Sequence, residues 1–202
     1  MEITRIVITG GPCAGKSEAM PLIKETFSQK GYTVLFIPET ATELIPGGVC
    51  PWTCGTNLDY QKIQCKLQRV KEEFFDEAAR GMKQDKFLIV CDRGMLDNRS
   101  YMTQEEFEQV MEHLDMTEAQ MNARYDAVFH LVTTAKGLED FYSLENNVAR
   151  YETAEQAAAL DDRLIQAWSN HPNHFIIENY LDIHQKMDIL LHRIADFLHV
   201  EL

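Results

Sequence analysis

Five short apolar runs, separated by segments of helical period, set the outline of this chain. Ile3-Thr-Arg-Ile-Val-Ile-Thr9 is rich in β-branched residues and stops at Gly10-Gly11, and Thr33–Ile37, Phe87–Cys91, Ala127–Val132 and His174–Ile177 are the other four. Continuous apolar strands alternating with helices are the pattern of a parallel sheet covered on both faces. The spacing predicts a helix from Lys16 to about Gln29, closed by Gly31. A second runs from Leu58 to Gly81, where Leu58, Ile63, Leu67, Val70, Phe74 and Ala78 keep to one stripe. Thr103-x-x-Glu106 and Thr117-x-x-Gln120 read as capping boxes opening short helices, and Thr153 caps another. Leu190, Leu191, Ile194 and Leu198 make a C-terminal amphipathic helix. Pro21 falls inside the first helix and removes the bond to the Ser17 carbonyl, which predicts a kink or a non-ideal turn. The expected architecture is α/β: a single domain over residues 1–202 with a doubly wound, about five-stranded parallel sheet.

Composition narrows the function classes. The 202 residues, 45% hydrophobic, supply the core of one domain. A net charge of −13 opposes a nucleic-acid partner, because that affinity is built on Lys and Arg. The apolar runs fall far short of the roughly 18 residues that cross a bilayer, and the N-terminus begins on a strand pattern. A cytoplasmic protein without a membrane span is therefore expected. The five cysteines contain no C-x-x-C, so neither a disulfide framework nor a familiar zinc site is indicated, and Cys50 and Cys54 are too few ligands for a metal. Oligomeric state stays open.

Gly10-Gly11-Pro12-Cys13-Ala14-Gly15-Lys16-Ser17 matches G-x-x-x-x-G-K-[ST], after a predicted strand and before a predicted helix. Glycines let backbone N–H groups converge on phosphate oxygens, and the helix N-terminus adds its dipole. Lys16 supplies a point charge to the β- and γ-phosphates and Ser17 a hydroxyl for Mg²⁺. The other half of such a metal site is an acid ending a buried strand, and Asp92 ends Phe87–Cys91; a helix cap or turn residue is its plainer reading.

At Ile37-Pro38-Glu39 and Cys91-Asp92-Arg93 the chain resembles the P-loop nucleoside and nucleotide kinases. In the deoxynucleoside kinases a Glu after the second strand is the general base, a Trp follows it, and an acid-Arg-Ser motif ends the third strand. The matching positions are Glu39, Trp52 and Asp92-Arg93-Gly94, with Gly where that pattern has Ser. Thr9–Ser17, Pro38-Glu-Thr-Ala-Thr42, Asp92-Arg-Gly94 and Asn147-Val-Ala-Arg-Tyr-Glu152 also resemble small AAA-labelled ATPases related to nicotinamide riboside kinases. That likeness spans nearly the whole chain and implies the fold, ATP binding, and a lid over about residues 136–155 that closes on the phosphates and donates an arginine.

Phosphoryl transfer asks for one carboxylate to take a hydroxyl proton and for cations to hold the charge spreading over the γ-phosphoryl. Glu39 fits the first task, or is a solvated loop carboxylate; Arg93 and Arg150 fit the second, and Arg93 equally fits positioning Glu39. Catalysis is thus expected from Lys16, Glu39, Asp92, Arg93 and Arg150, and acceptor binding from Glu39, Arg93 and Trp52, the last in the loop Gly47–Gly55. Gln61 and Gln64 either read an acceptor's polar edge or face water. His130 reads as a core or edge histidine, Asn179 as a turn residue or a neighbour of the base, and Arg163 as a surface or lid-bracing residue. Two functions follow: an ATP-dependent kinase of a small nucleoside-like acceptor, or a nucleotide-dependent switch or NTPase acting on a protein partner. No N-K-x-D guanine signature is present, which favours ATP over GTP without deciding it.

Overall fold

The computed structural model describes residues 1–138 and 153–202. Strands β1 (Glu2–Gly10), β2 (Thr33–Ile37), β3 (Lys86–Asp92), β4 (Ala127–Leu131) and β5 (His174–Ile177) form one all-parallel sheet in the order β2-β3-β1-β4-β5. The continuous apolar runs arise because both faces are covered. On one face, Ile6, Ile8, Val90 and Phe129 pack against Ile23 and Phe27 of α1 (Lys16–Gln29) and Leu190 and Ile194 of the last helix, Ile183–Leu198. On the other, Val7, Ile89, Cys91 and Val128 meet residues of the long helix Asn57–Gly81, of the helices Gln104–Leu114 and Glu118–Asn122, and the enclosed Trp168. In chain order the helices are α1, α2 (Ala41–Leu44), α3 (Asn57–Gly81), α4 (Gln104–Leu114), α5 (Glu118–Asn122), α6 (Ala154–Ala167) and α7 (Ile183–Leu198), with a 3-10 helix at Met95–Tyr101. This is the expected doubly wound α/β fold.

Register decides where chemistry can sit. Ile8 pairs with Asp92 and Gly10 with Leu131, so the carboxyl ends of β1, β3 and β4 finish together beside the loop after β1. In open parallel sheets that edge is where ligands bind. The capping boxes at Thr103, Thr117 and Thr153 open α4, α5 and α6 as predicted. α1 carries Pro21 within an uninterrupted helix. The 3-10 helix and α2 were not legible in the periodicity, being too short to repeat. Among the described residues no helix is long and apolar enough to cross a membrane.

α3 departs from the pattern in an informative way. A hydrophobic stripe ordinarily turns inward, yet Ile63 and Phe74 are 44% and 64% exposed, Ala78 is exposed, and Leu67 and Val70 are half-buried. The buried face carries Tyr60, Gln61, Gln64, Gln68 and Glu72 with Cys65 and Ala79. Of these polar groups Gln64, Gln68 and Glu72 find hydrogen-bond partners inside. Glu72 is fully enclosed, receives Arg124 Nε and Tyr125 Oη at 2.6 Å each, and lies 3.8 Å from Arg5. Arg5 also pairs with Asp76. A buried charge held by partners tolerates enclosure that an unpaired one would not, so a polar network directs this face of α3 inward.

Candidate functional site

The loop Gly10–Ser17 leaves β1 under tight constraint. A Cβ on Gly10 would sit 2.1 Å from the Leu131 carbonyl oxygen, and its φ is +146°, so only glycine lets β4 close on this point. Cys13 also adopts a positive φ of 55°. α1 begins at Lys16, with Gly15 as its N-cap. Lys16 Nζ folds back to donate to the Gly10 carbonyl at 3.3 Å. Burial and then the nearby Arg93 push its pKa down to about 8, against the pull of Asp92, Glu39 and Asp97.

Three side chains brace the loop from behind. Asp161 Oδ1, on α6, accepts from Gly11 N–H at 2.8 Å and lies 2.9 Å from His130 Nε2, while its Oδ2 takes Lys136 Nζ at 2.9 Å. Burial works against the Asp161 charge, but these donors outweigh it and hold the carboxyl down at about 2. Thr133 Oγ1 donates to the Pro12 carbonyl. Lys186, buried on α7, donates to the carbonyls of Ala14 at 2.9 Å and Val132 at 2.6 Å and to Asn179 Oδ1 at 3.0 Å. Asn179 Nδ2 in turn donates to the carbonyls of Thr133 and Lys136.

At the end of β3, Arg93 is held in the left-handed region with φ 68°, its N–H donating to the Ile8 carbonyl at 3.1 Å. A non-glycine residue there is strained, and such strain gathers at functional sites. Its Nε donates to Glu39 Oε1 at 2.6 Å, and its Nη1 lies 3.8 Å from Asp97. Burial opposes the guanidinium charge, but Tyr101, Glu39, Asp97 and Asp92 hold its pKa above the ordinary value. Burial raises the Asp92 pKa despite the attraction of Lys16, and Asp92 Oδ1 is enclosed without a hydrogen-bond partner among the described residues. Gly94 has a steric reason to be glycine. A Cβ there would stand 2.6 Å from the Trp168 ring, so the Ser of the acid-Arg-Ser pattern does not fit.

Beside the Glu39–Arg93 pair lies a cavity of about 510 Å³, walled by these two residues, by α2, by Tyr60, Gln61 and Gln64 of α3 and by Asn98 and Tyr101 of the 3-10 helix. Gln64 Nε2 donates to Asn98 Oδ1 at 2.5 Å, and Gln68 Nε2 to the Arg93 carbonyl at 3.1 Å. Gln61 Oε1 and Tyr60 Oη are buried on this wall with no hydrogen-bond partner among the described residues. Burial, and then Cys50, raise the Tyr60 pKa to about 12, so the phenol stays a donor.

A family model described as an AAA domain matches residues 5–186. The chain belongs to this AAA-domain family. Among solved structures it is similar to a deoxyadenosine kinase from M. mycoides with the products dCMP and a flexible dCDP bound, at 14% identity and a TM-score of 0.63, covering 96% of this chain and 100% of that one. A structure of deoxyadenosine kinase from M. mycoides with bound dATP matches at 14% identity and a TM-score of 0.58, covering 95% and 99%. No curated protein matches the sequence. At such identity the likeness establishes the fold, a P-loop NTPase fold of the deoxynucleoside-kinase type. Together with the family match it supports nucleotide binding.

The AAA-domain protein thus brings Lys16, Glu39, Asp92 and Arg93 within electrostatic reach of one another. Trp52 is not brought there: it is 74% exposed and absent from the cavity wall. Arg150, and all of the expected lid except residues 136–138 and 153–155, lie outside the described residues. Gln61 and Gln64 are buried rather than facing water. Arg163 Nε donates to the Ser100 carbonyl, tying α6 to the 3-10 helix. Asp161 and Lys186 were missed as site residues, since a charge within a helical pattern is ordinarily assigned to the solvent face. Their only signal was the unusual place of Lys186 among Met187, Leu190 and Leu191, all core residues.

Proposed function

We propose that this AAA-domain protein is a kinase that transfers the γ-phosphoryl of ATP to a hydroxyl of a small, nucleoside-like acceptor bound in the 510 Å³ cavity. The observation that carries this reading is the Glu39–Arg93 pair, which lines the cavity and also acts on Lys16 of the phosphate loop. In the reaction Glu39 takes the acceptor's hydroxyl proton as its oxygen bonds to the γ-phosphorus and the bond to the β,γ-bridging oxygen breaks, releasing ADP. Arg93 orients Glu39 and balances charge on the transferring group. The backbone N–H groups and Lys16 hold the β- and γ-phosphates. Gln61 Oε1 and Tyr60 Oη, without partners among the described residues, are the polar groups that an acceptor with complementary donors and acceptors would satisfy.

The residues present fit Mg²⁺. Asp92 is a desolvated carboxyl with one oxygen unpaired among the described residues, and Ser17 is exposed in the first turn of α1. Among the described residues no cluster of three His, Cys, Asp or Glu side chains stands ready for a metal, so Ser17 and Asp92 would hold the ion with phosphate oxygens completing its shell. Bound there, it neutralises charge on the phosphates. Asp92→Asn, nearly isosteric, should keep nucleotide binding and lose its magnesium dependence; calorimetric titrations with and without Mg²⁺ read the difference, and an unchanged dependence returns Asp92 to a structural role.

Nucleotide affinity should fall as pH rises through about 8, the pKa to which burial lowers Lys16 from 10.5. Above that pH the empty site has lost the proton that phosphate binding requires, at a cost of up to about tenfold in affinity per pH unit. Lys186, lowered to about 8 chiefly by burial, acts in the same direction. Stability of the empty protein has the opposite sign: between pH 8 and 10.5 the unfolded chain binds more protons, so these two lysines favour folding as pH rises. Dissociation constants at pH 7 and pH 9.5 test the first statement; equal values defeat it.

The function itself is tested by ADP production from ATP and Mg²⁺ with and without a panel of nucleosides and small alcohols. Acceptor-dependent ADP with a phosphorylated product supports the kinase. Hydrolysis at one rate whatever acceptor is added defeats it in favour of an NTPase.

A further inference from the structure

Lys186 is an enclosed cation that the fold leaves without an anion. Only 2% of it is exposed, and its Nζ directs all three donors at neutral oxygens: the Ala14 carbonyl at 2.9 Å, the Val132 carbonyl at 2.6 Å and Asn179 Oδ1 at 3.0 Å. Among the described residues no ion pair engages it. Asp161, the carboxylate that attracts it most, is held instead by His130 Nε2 and Lys136 Nζ at 2.9 Å each. Glu72, Arg5 and Asp161 are enclosed as well, and each has an oppositely charged side chain beside it. Enclosing an ammonium without such a partner is costly, and a neutral side chain would fill the same space more cheaply.

Its position gives the charge a use. Ala14 belongs to the phosphate loop, and α7 packs directly beneath that loop, where a Cβ on Gly15 would meet Ile183 and Met187 at 3.2 Å each. In a trans peptide the carbonyl and the following N–H point opposite ways, so the grip on the Ala14 carbonyl turns the Gly15 N–H away from Lys186. We propose that Lys186 is a positioning residue of the nucleotide site, a hidden cation whose counter-charge is the bound polyphosphate, acting through the Ala14–Gly15 peptide and across the loop without touching the ligand. This role rests on the reading that Gly10–Ser17 holds nucleotide phosphates, whatever acceptor follows. Lys16 reaches those phosphates directly, whereas Lys186 adds its charge from behind, through protein, where salt screens little. In the empty site Lys16 and Lys186 repel each other, and a polyanion bound at the loop relieves that repulsion.

The test separates charge from shape. Lys186→Met keeps the length of the stem and removes the charge, while Lys186→Arg keeps the charge and alters the shape. Titration calorimetry with ATP and Mg²⁺ at pH 7 should give a dissociation constant raised on the order of tenfold or more in Lys186→Met and only a few-fold in Lys186→Arg. Between pH 7 and pH 9.5 the methionine variant should also lose less affinity than wild type, because one lysine that titrates behind the loop has gone. Asp161 on α6, Glu178 after β5 and Lys16 on α1 are the charged groups that act on Lys186, and all three remain in the variant. Circular dichroism and thermal melts without nucleotide check folding. Lys186→Gln, neutral yet able to donate to a carbonyl, should show the same loss and keeps the test decisive if the methionine variant folds poorly. Wild-type affinity in a folded neutral variant, or an equal loss in Lys186→Arg, makes Lys186 a packing residue and overturns the proposal. A wild type that binds no ATP overturns the phosphate-loop reading itself, and this role with it.

Discussion

Lys16→Ala is expected to remove nearly all nucleotide affinity while the protein stays folded. The ammonium is held over its own loop by one hydrogen bond of 3.3 Å to the Gly10 carbonyl, and its depressed pKa says that burial disfavours its charge in the empty site. Nothing in the fold therefore depends on that charge; only the bound phosphates repay it. Charge-assisted hydrogen bonds to two phosphates contribute about 1.5–3 kcal/mol each, so the dissociation constant should rise on the order of 10²- to 10⁴-fold. Thermal unfolding without nucleotide should be unchanged or slightly later. With saturating ATP and Mg²⁺, wild type should gain stability by mass action and the variant should not. Calorimetry with ATP read beside thermal melts separates loss of binding from loss of fold. Wild-type affinity in the variant would end the phosphate-loop reading.

The Gly10–Ser17 motif was legible because it is a matter of covalent spacing. Eight consecutive residues between a strand and a helix make it up, and no tertiary information is needed to find them. The five strands were legible for a related reason, since burial on both faces leaves them apolar throughout. What failed to show in the sequence is whatever depends on a partner distant along the chain. The outward turn of the α3 stripe follows from Glu72, Arg124, Tyr125 and Arg5 meeting from three separate segments, and a hydrophobic pattern cannot distinguish a solvated glutamate from one enclosed by two arginines. Asp161 and Lys186 brace the phosphate loop from helices that follow it by more than a hundred residues. Gly94 is the converse case: the departure from acid-Arg-Ser was visible, and its reason, the Trp168 ring 2.6 Å away, was not. The cavity was invisible in the pattern because α2 and the 3-10 helix, which form part of its wall, are too short to carry a period.

Glu39→Gln tests chemistry rather than binding, and its effect should lie almost wholly in kcat. The substitution keeps an oxygen to accept the 2.6 Å hydrogen bond from Arg93 Nε and keeps the shape of the cavity wall, but an amide cannot take the acceptor's proton. General-base assistance is worth about 10²- to 10⁴-fold, so acceptor-dependent turnover should fall by that order while the ATP dissociation constant stays within a few-fold of wild type. The proton moves only as the transition state forms, so kcat and kcat/KM for the acceptor should drop together with KM little changed. A change in KM alone would mean that Glu39 binds the acceptor without acting as base. Because Glu39 also helps hold Arg93 charged against the cost of its burial, the variant leaves that guanidinium with Asp97 at 3.8 Å and Asp92 nearby, enough to keep it ionised. Arg93→Lys then separates the two residues' roles. A lysine retains the charge but not the guanidinium geometry, and should cost turnover only to the extent that Arg93 aims Glu39 at the acceptor hydroxyl. If Glu39→Gln leaves turnover untouched in steady-state assays with a productive acceptor, the carboxylate is not the base, and proton removal in this cleft must be assigned elsewhere.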